Sequence, residues 1–185
     1  MGAMQTAFQR AKRAILARTG TTRRFAEDQS GTAVEFALVA MPFFLLLFTI
    51  FEIGLIFFKG EFLQSAVSDA SRSIYTGQAQ QSALSQEQFR QKVCAAASIM
   101  FDCGGIHVDV RTFNTLGAAA PFNPVSGGAV NTATSYNPGT RMSIVVVTAF
   151  YQQTTWVTLF APGITGLGNG MRLLQGTAVF RNEPF

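Results

Sequence analysis

The stretch QSGTAVEFALVAMPFFLLLFTIFEIGLIFF, residues 29–58, decides how the rest of the chain is read. From Phe36 to Phe58 it runs for 23 residues with Glu52 as its only charge, against the roughly 20 apolar residues that cross a hydrocarbon core of about 30 Å. A secretory signal would carry a shorter apolar run, about 7 to 15 residues, closed by small residues. Here Phe57, Phe58 and Lys59 stand at that position. The stretch therefore predicts a single membrane-spanning helix over about residues 31–60. Six basic side chains precede it, and only Lys59 and Arg72 follow closely, so the positive-inside bias directs the N-terminus to the cytoplasm and residues 61–185 to the far side.

Charge supports that partition. Arg10, Lys12, Arg13, Arg18, Arg23 and Arg24, set against Glu27 and Asp28, place the entire net charge of +4 in residues 1–30. Residues 31–185 carry eight basic and eight acidic groups. A neutral domain offers no electrostatic groove for nucleic acid, and none is expected as a partner. With 48% hydrophobic and 13% charged residues the chain is not disordered, and 185 residues leave room for one modest domain outside the membrane.

Two acids and a proline interrupt the apolar run. Glu35 lies within a turn of the cytoplasmic boundary, where a carboxylate can snorkel to the interface and sit favourably near a helix start. Glu52 lies far deeper in the run. An acid there costs a few kcal/mol unless it is paired or reaches the outer interface, so it is expected at that boundary or in contact with a partner. Pro42 removes one helical hydrogen bond and favours a kink over residues 38–42.

Beyond the membrane, Phe62, Ala66, Ala70 and Ile74, with Leu63 and Val67, recur at helical spacing, while Gln64, Ser68, Asp69 and Arg72 occupy the other side. The helix is expected to end near Gly77 and a polar linker to follow. Ser85 and Gln88 have the spacing of a capping box ahead of a second helix whose apolar face is Phe89, Val93 and Ala97. Three strands are predicted: IHVDVRTF, with Ile106, Val108 and Val110 inward and His107, Asp109 and Arg111 toward solvent; MSIVVVTAFYQQ, β-branched enough for a central strand covered on both faces; and LLQGTAVFR as a closing strand. The Gly/Pro/Asn-rich residues 115–140 read as a long surface loop and contact site, and APGITGLGNG, residues 161–170, as another. The fold class is α+β, a long N-terminal helix continuing into a small domain with a second helix and an antiparallel sheet.

Cys94 and Cys103 are the only cysteines. With one histidine, His107, they cannot complete a four-ligand structural zinc site, and their spacing is not CxxC, so a disulfide is expected in an oxidising compartment. No P-loop, GxGxxG, nucleophile elbow or SxxK is present. No cofactor, metal or catalytic residue is implied, and Trp156 reads as a core or membrane residue.

The basic leader, Ser30, Gly31, Thr32, Ala33, Val34, Glu35, Phe36, Ala37 and Leu38, then Glu52, Ile53 and Gly54, resemble the opening of the TadE-like family, the minor pseudopilins of tight-adherence (Tad) pilus machines. The terminal AVFRNEPF is similar to the end of some of its members. The resemblance implies cleavage by a prepilin peptidase on the cytoplasmic side, after Ser30 or after Gly31. The family's usual pattern puts Gly before the cut and Glu at the fifth mature position, which this sequence does not satisfy simultaneously. It also implies that Glu35 neutralises the new α-amino group of a neighbouring subunit, since a buried carboxylate and a buried ammonium are tolerable as a pair. Glu35, Phe36 and Glu52 are then assembly residues and Pro42 a flexible point. The implied partners are other Tad pseudopilins, the major Flp pilin, the inner-membrane Tad assembly platform and membrane lipid; the implied role is structural, at the bacterial inner membrane with a periplasmic, pilin-like domain. The alternative is an uncleaved single-pass scaffold or binding subunit of an envelope complex.

Overall fold

The structure is a computed structural model that describes residues 3–156, 167 and 170–185, with side chains from Gly31 onward. Its elements are α1 (Ala3–Tyr75), α2 (Gln78–Gln81), α3 (Gln86–Ala97), β1 (His107–Phe113), β2 (Val125–Ser126), β3 (Ala129–Val130), β4 (Ile144–Thr154) and β5 (Met171–Arg181). The architecture is α+β, and the antiparallel sheet has the order β1-β4-β5 beside a small β2-β3 hairpin. Contacts group the chain into Met1–Thr49 and Ile50–Phe185. Of the loop expected over residues 161–170, only Leu167 and Gly170 are described.

In the first unit, α1 is apolar around its whole circumference over residues 36–48 and leaves that surface open: Phe36 is 71% exposed, and Leu38, Met41, Phe43 and Phe48 are exposed with it. A helix apolar on every side and exposed over that length suits hydrocarbon. Among the described residues, Gly31–Tyr75 is the one stretch long and apolar enough to cross a membrane, with an 18-residue window of mean hydropathy 2.3. The helix runs through Pro42 without interruption.

In the second unit, Leu63, Ala66, Val67, Ala70 and Ile74 of α1 share one core with Phe89, Val93 and Ala97 of α3 and with Val108, Val110, Val145, Val147, Ala149 and Leu174 of the sheet. Both helices thus cover one sheet face, as their apolar spacings require. β4 is the central strand, and Ile144 to Phe150 are buried on both its faces. α1 stops where Gly77 takes φ +80°, with a Cβ there overlapping the Phe185 ring, so the chain's end packs over the helix stop. The linker holds an added turn, α2, anchored by buried Ala79. Ser85 and Gln88 form the capping box at the start of α3.

Two expectations are corrected. Gln64 does not face solvent: its side-chain amide donates to the Thr177 carbonyl (2.9 Å) and accepts from the Thr177 N–H (2.8 Å). Asp109 is 1% exposed, because the surface loop over residues 115–140, exposed along most of its length, brings Phe122 and the Ser135 N–H against this side of the sheet. Ser135 and Asn137 exchange backbone hydrogen bonds with Val110 at 2.8 and 2.9 Å. Phe122 lies 5.9 Å from the Phe150 ring, with the Arg111 guanidinium 4.7 Å above it. Under this cover the Asp109 carboxylate accepts from Arg111 Nε and from the Ser135 N–H, both at 2.8 Å. Trp156, expected in the core or at the membrane, lies outside the core and is 80% exposed.

Candidate functional site

The residues singled out from the sequence fall in three places. The first is on α1 within the first unit. Ser30 lies in the helix with its side chain outside the described set. Gly31 has open space where a Cβ would stand, so its small size answers no packing demand inside the chain. Thr32 follows it. One turn on, Glu35 is exposed, and its carboxylate has no hydrogen bond or ion pair among the described residues; Phe36 beside it is equally open. Next to hydrocarbon, such a carboxylate is stabilised by a cation from another molecule or by the interface.

The second place is Glu52, in the second unit, where a partner does exist. Its Oε1 accepts from the backbone N–H of Trp156, just past the end of β4. Five residues along, the Arg172 guanidinium at the start of β5 lies 6.0 Å from the Phe57 ring, and Lys59 Nζ donates to Gln153 Oε1 at 2.8 Å. Gln153 and Arg172 are register partners across β4 and β5. One end of this strand pair is therefore seated against helix residues 52–59, and Ile56 between them belongs to the core.

The third is the cysteine pair. Cys94 of α3 and Cys103 are joined in a disulfide with their Cα atoms 5.4 Å apart. Arg90 reinforces the same connection, donating to the Cys103 carbonyl while its guanidinium holds both Glu87 oxygens at 2.6 and 2.7 Å. The hydrogen bond from Arg90 keeps the Glu87 carboxyl below its usual range. His107, its ring 5.3 Å from Phe150, is held below the ordinary imidazole value by burial and, secondarily, by the Arg90 charge. It is half-buried against an aromatic side chain, not on an open face.

On the helix stand an acid unpaired among the described residues and an open apolar surface; in the domain, Glu52, Glu87 and Asp109 each find a donor. Residues 31–72 match the family model for TadE, TadE-like protein. This segment is TadE-like. It contains Gly31, Thr32, Glu35, Phe36, Pro42 and Glu52, and it ends within the helix, before α3, the disulfide and the sheet. No curated protein and no solved structure matches the chain. Outside the residues expected from sequence, Gln64, Lys59, Trp156 and Arg172 carry contacts that join the TadE-like helix to the strands. Only Trp156, as the single tryptophan, had any signal in the sequence; a glutamine on the polar side of a helix has none.

Proposed function

We propose that the protein is a minor pilin or pseudopilin of a Tad-type pilus system. The observation that carries this is the TadE-like match falling on an exposed, all-round apolar helix that bears Glu35 near its start. The family match supports association with the Tad pilus machinery, and the helix supports a membrane anchor. On this reading a prepilin peptidase removes residues 1–30 or 1–31, the helix packs laterally against other pseudopilins and the major Flp pilin at the inner-membrane assembly platform, and Glu35 meets a neighbour's new amino terminus. The domain stands in the periplasm. The role is structural, in pilus biogenesis and adhesion, with no catalytic step.

Intact-protein mass from cells with and without the prepilin peptidase tests this directly. The expected mature chain begins at Gly31 or Thr32 only when the peptidase is active. A chain that retains Met1 in both strains supports the uncleaved envelope scaffold instead.

A further inference from the structure

We propose that the end of the domain formed by Gln153, Trp156 and Arg172 rests in the headgroup layer of the same bilayer that the TadE-like helix crosses, with Trp156 as an interfacial anchor and Glu52 as the acceptor that holds it there. The inference rests on the membrane-spanning reading of α1, and it concerns residues 50–185 only.

The strand pair runs toward the N-terminal end of this part of the helix. Gln153 meets Lys59, Arg172 meets Phe57, and Trp156, farthest along, meets Glu52. At that last position the indole is 80% exposed, although tryptophan is among the most costly side chains to leave in water. On the helix around Glu52, Ile50, Phe51, Leu55, Phe57 and Phe58 are exposed too. Bilayer is the occupant that suits this patch, because the patch continues an apolar run already long enough to enter one. The polar groups match the headgroup zone: tryptophan prefers the interface, and the two cations one to two turns farther along the helix, Lys59 and Arg172, can reach lipid phosphates while their stems lie on apolar surface. Glu52 then has a role inside its own chain. Its carboxylate would be costly at the edge of hydrocarbon, and the Trp156 N–H gives it a hydrogen bond while fixing the height at which the indole sits.

Because Trp156 is the chain's only tryptophan, its fluorescence reports this one position. The full chain would be reconstituted in phosphatidylcholine–phosphatidylglycerol vesicles carrying lipids brominated either high or low on the acyl chain, and retention through an alkaline carbonate wash scored separately. The expected result is a blue-shifted emission, quenched about twofold more by the high bromines than by the low ones, as for an interfacial indole. Glu52→Ala should weaken that quenching, and Glu52→Gln, which keeps an acceptor oxygen, should restore it. Emission typical of indole in water, or a blue shift without bromine quenching, from carbonate-resistant protein would overturn the proposal while leaving the membrane span intact. Loss of the chain in the carbonate wash would overturn both.

Discussion

Gly176 and Gln64 show how a helix can lie directly on a sheet edge. A Cβ on Gly176 would stand 3.0 Å from the Gln64 Cα and 3.1 Å from the Leu63 carbonyl oxygen, all backbone of α1, so the missing side chain is what allows helix and strand to touch. Among the described residues β5 is an edge strand, paired with β4 alone, and the Gln64 amide occupies the outward N–H and C=O of Thr177 much as another strand would. Gly176→Ala should destabilise the domain by about 1–3 kcal/mol, the usual cost of overpacking against backbone that cannot yield; thermal unfolding of the detergent-solubilised chain measures it. Gln64→Ala should cost about 1–2 kcal/mol through the two lost hydrogen bonds. It should also speed amide exchange at Thr177 specifically, and unchanged exchange there would count against the edge-protecting role.

At the scale of elements, α3 is held by its ends and its face. The capping box starts it, Phe89 and Val93 bury it, and the disulfide ties it to the turn before β1. Replacing both cysteines by alanine closes no loop in the unfolded chain, and should lower stability by about 2–3 kcal/mol on the chain-entropy account; non-reducing peptide mapping of envelope-isolated protein should recover the Cys94–Cys103 link. β1 adds a pH dependence through His107. Its folded-state pKa is lowered by burial first and by Arg90 second, so the unfolded chain binds the proton more readily. This stabilising contribution is whole above the ordinary imidazole value of about 6.5 and is lost as pH falls through the lower folded value. Melting temperature should therefore decline from neutral toward mildly acidic pH, and His107→Gln should remove that part of the decline; an identical decline in the variant would assign it to carboxylates.

For the whole molecule, assembly and stability are expected to separate. The core comprises residues from Ile56 onward, and Glu35, exposed on the helix, is not one of them. Glu35→Gln should therefore leave the domain's unfolding midpoint and its disulfide unchanged while lateral cross-links to partner pilins and surface pili are lost. Wild-type piliation in a variant whose processing is normal would return Glu35 to an interfacial carboxylate without a partner. A shifted midpoint would mean that the two parts of the chain are energetically coupled.

What the sequence by itself determined is the set of features that depend on near neighbours. The apolar run from Phe36 to Phe58, the inward face from Leu63 to Ile74, the Ser85 cap and the β-branched central strand are all written in spacings of two, three or four residues, and each is found as expected. Gly31, Glu35 and Glu52 stood out for a related reason, being small or charged residues beside an apolar run. Tertiary structure alone decided which polar residues are inside. Asp109 alternates correctly for a solvent face, yet a segment with no apolar periodicity folds over it and supplies the Ser135 N–H that permits its burial. Gln64 and Glu52 find their partners at Thr177 and Trp156, over a hundred residues away. Hydrogen bonding satisfies a buried polar group wherever the donor comes from in the chain, so no local pattern can announce the match.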